Sequence, residues 1–220
     1  MMLVGQHMTQ PVQTITPHTN FREVRDLMHN KGIRRLPVVD HGKLVGIVTE
    51  TDVMSTAPSP ATTLSVYEIY TLLDRLEARQ FMKHPVLAVA PDCPLQDAAQ
   101  IMITHKIGCL PVVRATDVVG IITETDVMRV IVEMLGGGTQ GCHFTVRIKD
   151  EPGTLAALCA AVANAGGNII SLAARAGSNE VTVKEQGANL EQLKKNLSEA
   201  KADLIVLQDG KPYTALHFGA

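Results

Sequence analysis

Most of the features that announce chemistry are missing from this chain. Its four cysteines, at positions 93, 109, 142 and 159, are scattered without a C-x-x-C pair or a secretory context. They read as reduced thiols in a cytoplasmic protein. The eight histidines are dispersed, with no H-x-x-x-H or H-E-x-x-H pair, so no metal site is expected. No serine sits in a G-x-S-x-G elbow and no P-loop appears, which leaves no candidate catalytic residue. There is no basic run, and the net charge is -2, so the chain offers nucleic acid no electrostatic footprint. No apolar stretch approaches the length of a membrane span, and no basic segment followed by an apolar one opens the chain. A cytoplasmic, non-catalytic protein is the expectation.

What is there is a repeat. Gly46-Ile47-Val48-Thr49-Glu50-Thr51-Asp52-Val53-Met54 returns 74 residues later as Gly120-Ile121-Ile122-Thr123-Glu124-Thr125-Asp126-Val127-Met128. The same offset carries Met8 onto Met82, Pro11-Val12 onto Pro85-Val86, and Leu36-Pro37-Val38-Val39 onto Leu110-Pro111-Val112-Val113. Roughly 19 of 47 positions are identical in one ungapped register, so two copies of one unit fill the chain to about residue 130. With 220 residues, 45% hydrophobic and 19% charged, the composition is that of an ordinary globular protein.

One copy reads as β-α-β-β-α. Val12 to Thr16 alternates as a short strand ended by Pro17. Thr19 or Asn20 caps a helix from Phe21, with Glu23 placed for a capping box, and Gly32 stops it. Leu36 to Val39 and Leu44 to Val48 are apolar strands joined at His41-Gly42. Thr49 then caps a second helix whose first turn holds Glu50 and Asp52. A unit this small needs its twin to bury its sheet. The second copy has Gly108-Cys109 where the first has Arg34-Arg35, so the chemistry around that turn differs between them. Between the copies, Ser59 to Ala61 reads as a loop. A helix is expected from Ser65 to Phe81, with Ser65 and Glu68 as a capping box and Ile69, Leu72, Leu73 and Leu76 as its apolar stripe.

Each copy resembles a CBS motif, and the tandem resembles the CBS pair called a Bateman module. The resemblance rests on Thr14-Ile15-Thr16-Pro17 and Ala88-Val89-Ala90-Pro91, on the two Leu-Pro-Val-Val strands, and on the two G-x-x-T-x-x-D stretches. It implies a site for an adenosine-containing nucleotide. Thr49 and Thr123 stand at helix starts, where unpaired N–H groups favour a phosphate. Asp52 and Asp126, one turn on, are able to accept both ribose hydroxyls. Ile15, Val89, Ile33 and Ile107 would contact the adenine, and Arg34 and Arg35 would pair with phosphate. Lys106 is the nearest basic residue in the second copy. Thr-x-x-Asp is equally a good helix start that stabilises by ~1 kcal/mol with no ligand present. AMP, ADP, ATP, S-adenosylmethionine and NAD would all satisfy the pattern.

The last third breaks the repeat. Gly136 to Gly141 is a flexible linker by composition. Beyond it the periodicity gives a strand from Cys142 to Ile148, a turn at Asp150-Glu151-Pro152-Gly153 and an Ala-rich helix closed by Gly166-Gly167. A hairpin from Asn168 to Lys184 follows, with its turn at Ala176 to Asn179. A helix from Leu190 and a strand from Leu204 to Leu207 complete the ferredoxin-like order β-α-β-β-α-β. Asp150-Glu151-Pro152-Gly153-Thr154-Leu155 and Asn164-Ala165-Gly166-Gly167-Asn168-Ile169 resemble an ACT domain, an amino-acid-sensing module. That resemblance implies a small effector, an amino acid or another metabolite, at Asp150, Gly153 and Asn168.

The chain is therefore expected to be mixed α/β (α+β). Its expected segments are a CBS motif at 1–58, a helical linker at 59–81, a second CBS motif at 82–135, a Gly-rich linker at 136–141, an ACT domain at 142–210 and a tail at 211–220. The order resembles that of stand-alone CBS–ACT proteins of the acetoin-utilisation type. It implies a non-catalytic regulatory sensor, a homodimer through both kinds of domain, acting on an unidentified partner protein. No membrane or nucleic-acid partner is expected. A ligand-independent dimerising adaptor that regulates a partner enzyme is the alternative.

Overall fold

A computed structural model of the protein describes residues 1–56, 65–175 and 177–208. The expected loop at Ser59–Ala61, the turn residue Ala176, the 211–220 tail and the side chain of Ile69 lie outside the described residues. The chain divides into two units, Met1–Met128 and Arg129–Ala220. Among the described residues no helix is long and apolar enough to cross a membrane.

The first unit holds the repeat. A single helical turn, α1 (Val4–His7), precedes α2 (Phe21–Lys31), the hairpin β1 (Arg35–Asp40) and β2 (Lys43–Thr49), and α3 (Glu50–Thr56). After α4 (Val66–Leu73), the second copy supplies α5 (Leu95–His105), the hairpin β3 (Cys109–Arg114) and β4 (Asp117–Thr123), and α6 (Glu124–Met134), which runs past the end of the unit. Asn20 Oδ1 accepts a hydrogen bond from Glu23 N at 2.9 Å and Glu23 Oε2 accepts one from Asn20 N, which fixes the start of α2. Gly32, at φ 61°, ends that helix in the left-handed conformation. Phe21, Val24, Met28, Leu36, Val38 and Val48 are buried together between helix and hairpin. Each such side chain stabilises by roughly 1.5–3 kcal/mol.

Two expectations for this unit need correction. Val12 to Thr16 is not a strand. Only Ile15 pairs, in parallel with Val38, as Val89 does with Val112. The long helix expected to Phe81 stops at Leu73, and a short 3-10 turn follows at Ala78–Gln80. The reason is tertiary. Leu76 O accepts from Phe21 N, while Ala78 N and Arg79 N donate to Thr19 O and Pro17 O, so these backbone groups serve the first copy instead of a helix.

That last pattern is reciprocal. Val4 N and Gly5 N donate to Cys93 O and Pro91 O of the second copy, at 2.9 and 2.8 Å. These are the 74-residue equivalents of the Ala78 and Arg79 bonds. Thr9 bridges Ile121 and Lys83 bridges Ile47, again as equivalents. Each copy's leading segment thus completes the other copy. Gly46 and Gly120 make this possible, because a side chain there would overlap Met82 Sδ and Met8 Sδ respectively. Ile47, Cys109 and Ile121, with Val12 and Val86 against them, form a small apolar cluster between the two copies.

The second unit contains β5 (Cys142–Arg147), α7 (Thr154–Asn164), β6 (Asn168–Ala174), β7 (Glu180–Gln186), α8 (Leu190–Glu199) and β8 (Asp203–Gln208). Its sheet runs β6-β7-β5-β8 with antiparallel neighbours throughout, the ferredoxin-like arrangement. Phe144, Val146, Leu158, Val162, Val183, Leu193 and Leu197 fill the layer between sheet and helices. The Gly-rich segment is not a free linker. Gly136 O accepts a 2.7 Å bond from the buried Lys184 ammonium, and Leu135 O accepts from Ser171 Oγ. A Cβ on Gly136 would lie 2.6 Å from Ile170, so glycine serves close backbone approach here rather than freedom.

Candidate functional site

A cleft of about 480 Å³ opens where the two copies meet in the first unit. Its walls mix the repeats. Arg34, Arg35, Ile47, Thr49 and Glu50 come from the first copy, while Lys83, Val86, Lys106, Ile107 and Cys109 come from the second copy and the segment leading into it. The hairpins and the helix starts position these groups. Arg34 O accepts from Glu50 N at 2.9 Å and Gly108 O from Glu124 N at 3.1 Å, so each turn before a hairpin is pinned to the start of that copy's second helix.

At that start the Thr-x-x-Asp pattern closes on itself. Asp52 Oδ2 accepts from Thr49 N at 2.8 Å and from Thr49 Oγ at 2.5 Å, and Thr49 Oγ accepts from Asp52 N. The other carboxylate oxygen, Oδ1, lies 3.1 Å from Lys83 Nζ. Asp126 makes the same two bonds to Thr123, at 2.9 and 2.7 Å, and is 5% exposed. These contacts satisfy the caps without a ligand, and a ribose would have to share or displace them.

Arg35 and Cys109 occupy equivalent places, and the difference shapes the cleft. Arg35 reaches across the copies to Glu124 Oε1 at 3.3 Å and passes over Gly108, where a Cβ would lie 2.6 Å from its Nη2. Cys109 is buried, and desolvation pushes its thiol up to about 11 despite the nearby Arg35 guanidinium. It is therefore a packing residue and not a nucleophile at neutral pH.

Of the residues expected to bind nucleotide, Arg34, Arg35, Thr49 and Ile107 border this cleft. Asp52 reaches it through Lys83. Ile15 and Val89 are buried at 6% and 9% exposure, each holding its single parallel bridge, and Ile33 packs against the first copy's core. Thr123 and Asp126 form the equivalent start of α6 and do not line this cleft, although Thr123 pairs with its lining residue Cys109. Lys83 and His105 are lining residues that the sequence reading missed. Lys83 was invisible because it belongs to the swapped leading segment, and the 74-residue register alone sets it opposite Thr9. In the second unit Asp150 and Gly153 border a cavity of about 640 Å³ at the turn before α7, and Asn168 lies outside it.

The family model for the CBS domain matches residues 4–58 and 78–133. This chain belongs to the CBS domain family. Both CBS matches begin at the swapped leading segments, at the equivalent residues Val4 and Ala78. An uncharacterized protein of Methanocaldococcus jannaschii is 37% identical over 133 residues, which is 58% of this CBS chain and 46% of that protein. Two further relatives from the same organism are matched over 33% and 39% of their length, so the chain spans less than half of these relatives. Among solved CBS structures, a Vibrio cholerae protein assigned to acetoin utilization (AcuB) has a TM-score of 0.51 and 32% identity, covering 62% of this chain and 94% of that one. The crystal structure of CBSX2 in complex with AMP has a TM-score of 0.50 and 28% identity, covering 60% of this chain and 97% of that one.

Proposed function

We propose that this protein is a non-catalytic regulatory sensor whose CBS pair binds an adenosine-containing nucleotide. The observation that carries the reading is the cleft that joins Thr49 to Arg34, Arg35 and Ile107 across the two copies. It brings phosphate-pairing cations and an apolar side chain to one opening of about 480 Å³, a size suited to a nucleotide. The AMP held by the similar CBSX2 supports the ligand class. AMP, ADP, ATP, S-adenosylmethionine and NAD share the adenosine that Asp52 or Asp126 would hold.

The second unit takes the role of an ACT domain in this reading. Its ferredoxin-like sheet and the cavity at Asp150 and Gly153 support an amino acid or similar metabolite as second input. The proposed assembly is a cytoplasmic homodimer through both kinds of domain that acts on a partner protein. Each ligand acts only by binding one arrangement of that dimer better than another.

An adaptor that works without ligand is the second reading. It is favoured by one observation, that Oδ2 of Asp52 and of Asp126 is already committed to Thr49 and Thr123. A thermal-shift panel of adenine nucleotides, S-adenosylmethionine, NAD and the twenty amino acids separates the two. A ligand at 100 times its dissociation constant stabilises by ~2.7 kcal/mol. A nucleotide shift that disappears in Asp52→Ala or Asp126→Ala supports the sensor. Silence across the panel from a folded protein leaves the adaptor.

A further inference from the structure

We infer that the cleft at Thr49, and not its equivalent at Thr123, takes an adenosine polyphosphate, and that Arg34 and Lys106 are the residues that select it. The inference rests on the nucleotide reading above and adds the charge of the ligand and the cleft it uses. Four permanent cations border the cleft, Arg34, Arg35, Lys83 and Lys106, with His105 beside them and Glu50 as the carboxylate in the wall. Two of the four are answered within the protein. Arg35 is paired with Glu124 at 3.3 Å and Lys83 with Asp52 at 3.1 Å. Arg34 and Lys106 form no ion pair among the described residues, and both are exposed at the rim. A ligand that meets both must carry more than one negative charge.

The 74-residue register shows where this cleft and its twin differ. Gly108 and Cys109 in its lining correspond to Arg34 and Arg35, so the arginine pair serves both clefts, whereas Lys83 and Lys106 correspond to Thr9 and Gly32 and His105 to Lys31, so the twin lacks both lysines. Lys106 adds an independent observation. It ends α5 with φ 54°, in the left-handed conformation that its counterpart Gly32 adopts at φ 61°. A lysine there is disfavoured relative to glycine, as it is at Lys201 (φ 55°), so Lys106→Gly removes the side chain without straining the backbone. That side chain borders the cleft. A cationic or zwitterionic adenosyl compound leaves Arg34 and Lys106 unanswered and AMP brings its charge in a single phosphate, whereas a di- or triphosphate offers each of them a phosphate of its own through charge-assisted hydrogen bonds.

Calorimetric titration of the full chain with adenosine, AMP, ADP, ATP, S-adenosylmethionine and inorganic tripolyphosphate tests this. Affinity should rise with each phosphate, ATP should bind at one site per chain, and tripolyphosphate should compete with it. Lys106→Gly should lower ATP affinity about tenfold or more, as loss of a charged hydrogen bond does, and leave AMP affinity within a few-fold. It should do so with thermal stability unchanged or raised, since glycine suits the backbone, so a folding defect cannot mimic the result. Arg34→Gln should act in the same direction. AMP or S-adenosylmethionine binding as tightly as ATP would overturn the polyphosphate inference while leaving the nucleotide reading intact. Two equal ATP sites per chain would overturn the asymmetry. Tripolyphosphate binding without any adenosyl ligand would keep the anion site and remove the nucleotide reading, and no binding at all would remove both.

Discussion

Gly46 and Gly120 are where the repeat depends on having no side chain. Each strand of the repeated sequence passes beneath a methionine from the other copy's leading segment, Met82 over Gly46 and Met8 over Gly120. Gly46→Ala should therefore destabilise by ~1–3 kcal/mol, as overpacking does. In a Met82→Ala background the same change should cost much less, and a double-mutant cycle on urea unfolding reads the coupling directly. Additive costs would mean that Met82 is not what fills the space. At Cys109 the relevant quantity is a proton. The unfolded thiol has its ordinary value of 9.0 and the folded one is pushed up to about 11, so the folded state keeps its proton longer. The stabilisation is complete below about pH 9 and is lost as pH rises to about 11, with a magnitude on the order of 2–3 kcal/mol. The urea midpoint should fall more steeply across that window in the wild-type chain than in Cys109→Ala. A thiol reagent at neutral pH should also label Cys109 only after unfolding. The sequence pointed to Thr49, Arg34, Arg35 and Ile107 through local pattern, but not to Cys109 or Lys83. Their places are set by contacts between copies, which leave no local periodicity.

At the scale of single elements, the sequence was most legible where caps and turns are local. Asn20 with Glu23, Ser65 with Glu68 and Gly32 all do what their spacing predicts. It was least legible where backbone groups find distant partners. The expected helix to Phe81 has the right apolar spacing, yet Ala78 and Arg79 donate to Thr19 and Pro17 instead. Composition misled at the Gly-rich segment for a similar reason. Gly136 is held by Lys184, a buried ammonium whose other neighbours include the half-buried His143, and that cation helps push the imidazole below its usual value after desolvation has done most of the work. Replacing Lys184 by Met keeps the stem and deletes the charge. Lys184→Met should free Gly136 O and raise hydrogen exchange through residues 136–141, while His143 moves up towards the ordinary imidazole range in an NMR titration. A protected segment in that variant would show that packing of Ile170 and Val132 holds it without the lysine.

Across the whole first unit, the decisive feature is that neither copy is complete by itself. Residues 1–9 donate to Cys93, Pro91 and Ile121 of the second copy, and 76–83 do the same for Thr19, Pro17 and Ile47 of the first. The 74-residue register therefore marks two chemically similar units, and the physical unit is a pair in which each half lends its leading segment to the other. This has a consequence that a simple tandem would not share. Deleting residues 1–8 removes Val4, fully buried, and leaves the carbonyls of Pro91 and Cys93 without their partners. Loss of a buried Val and of backbone pairing costs several kcal/mol by the usual scale for such groups. In a tandem of independent domains the damage would fall on the copy that was trimmed. Here it should fall on the other one. Hydrogen exchange should rise first in α5, β3 and β4, with β1 and β2 protected for longer. The mirror-image experiment is substitution of Ala78, also fully buried, by a charged residue, which should loosen α2 and β1 instead. A truncated chain whose first copy loosens while the second stays protected would show that the copies fold as separate domains, and the shared cleft at Thr49 would then have no obligatory partner wall.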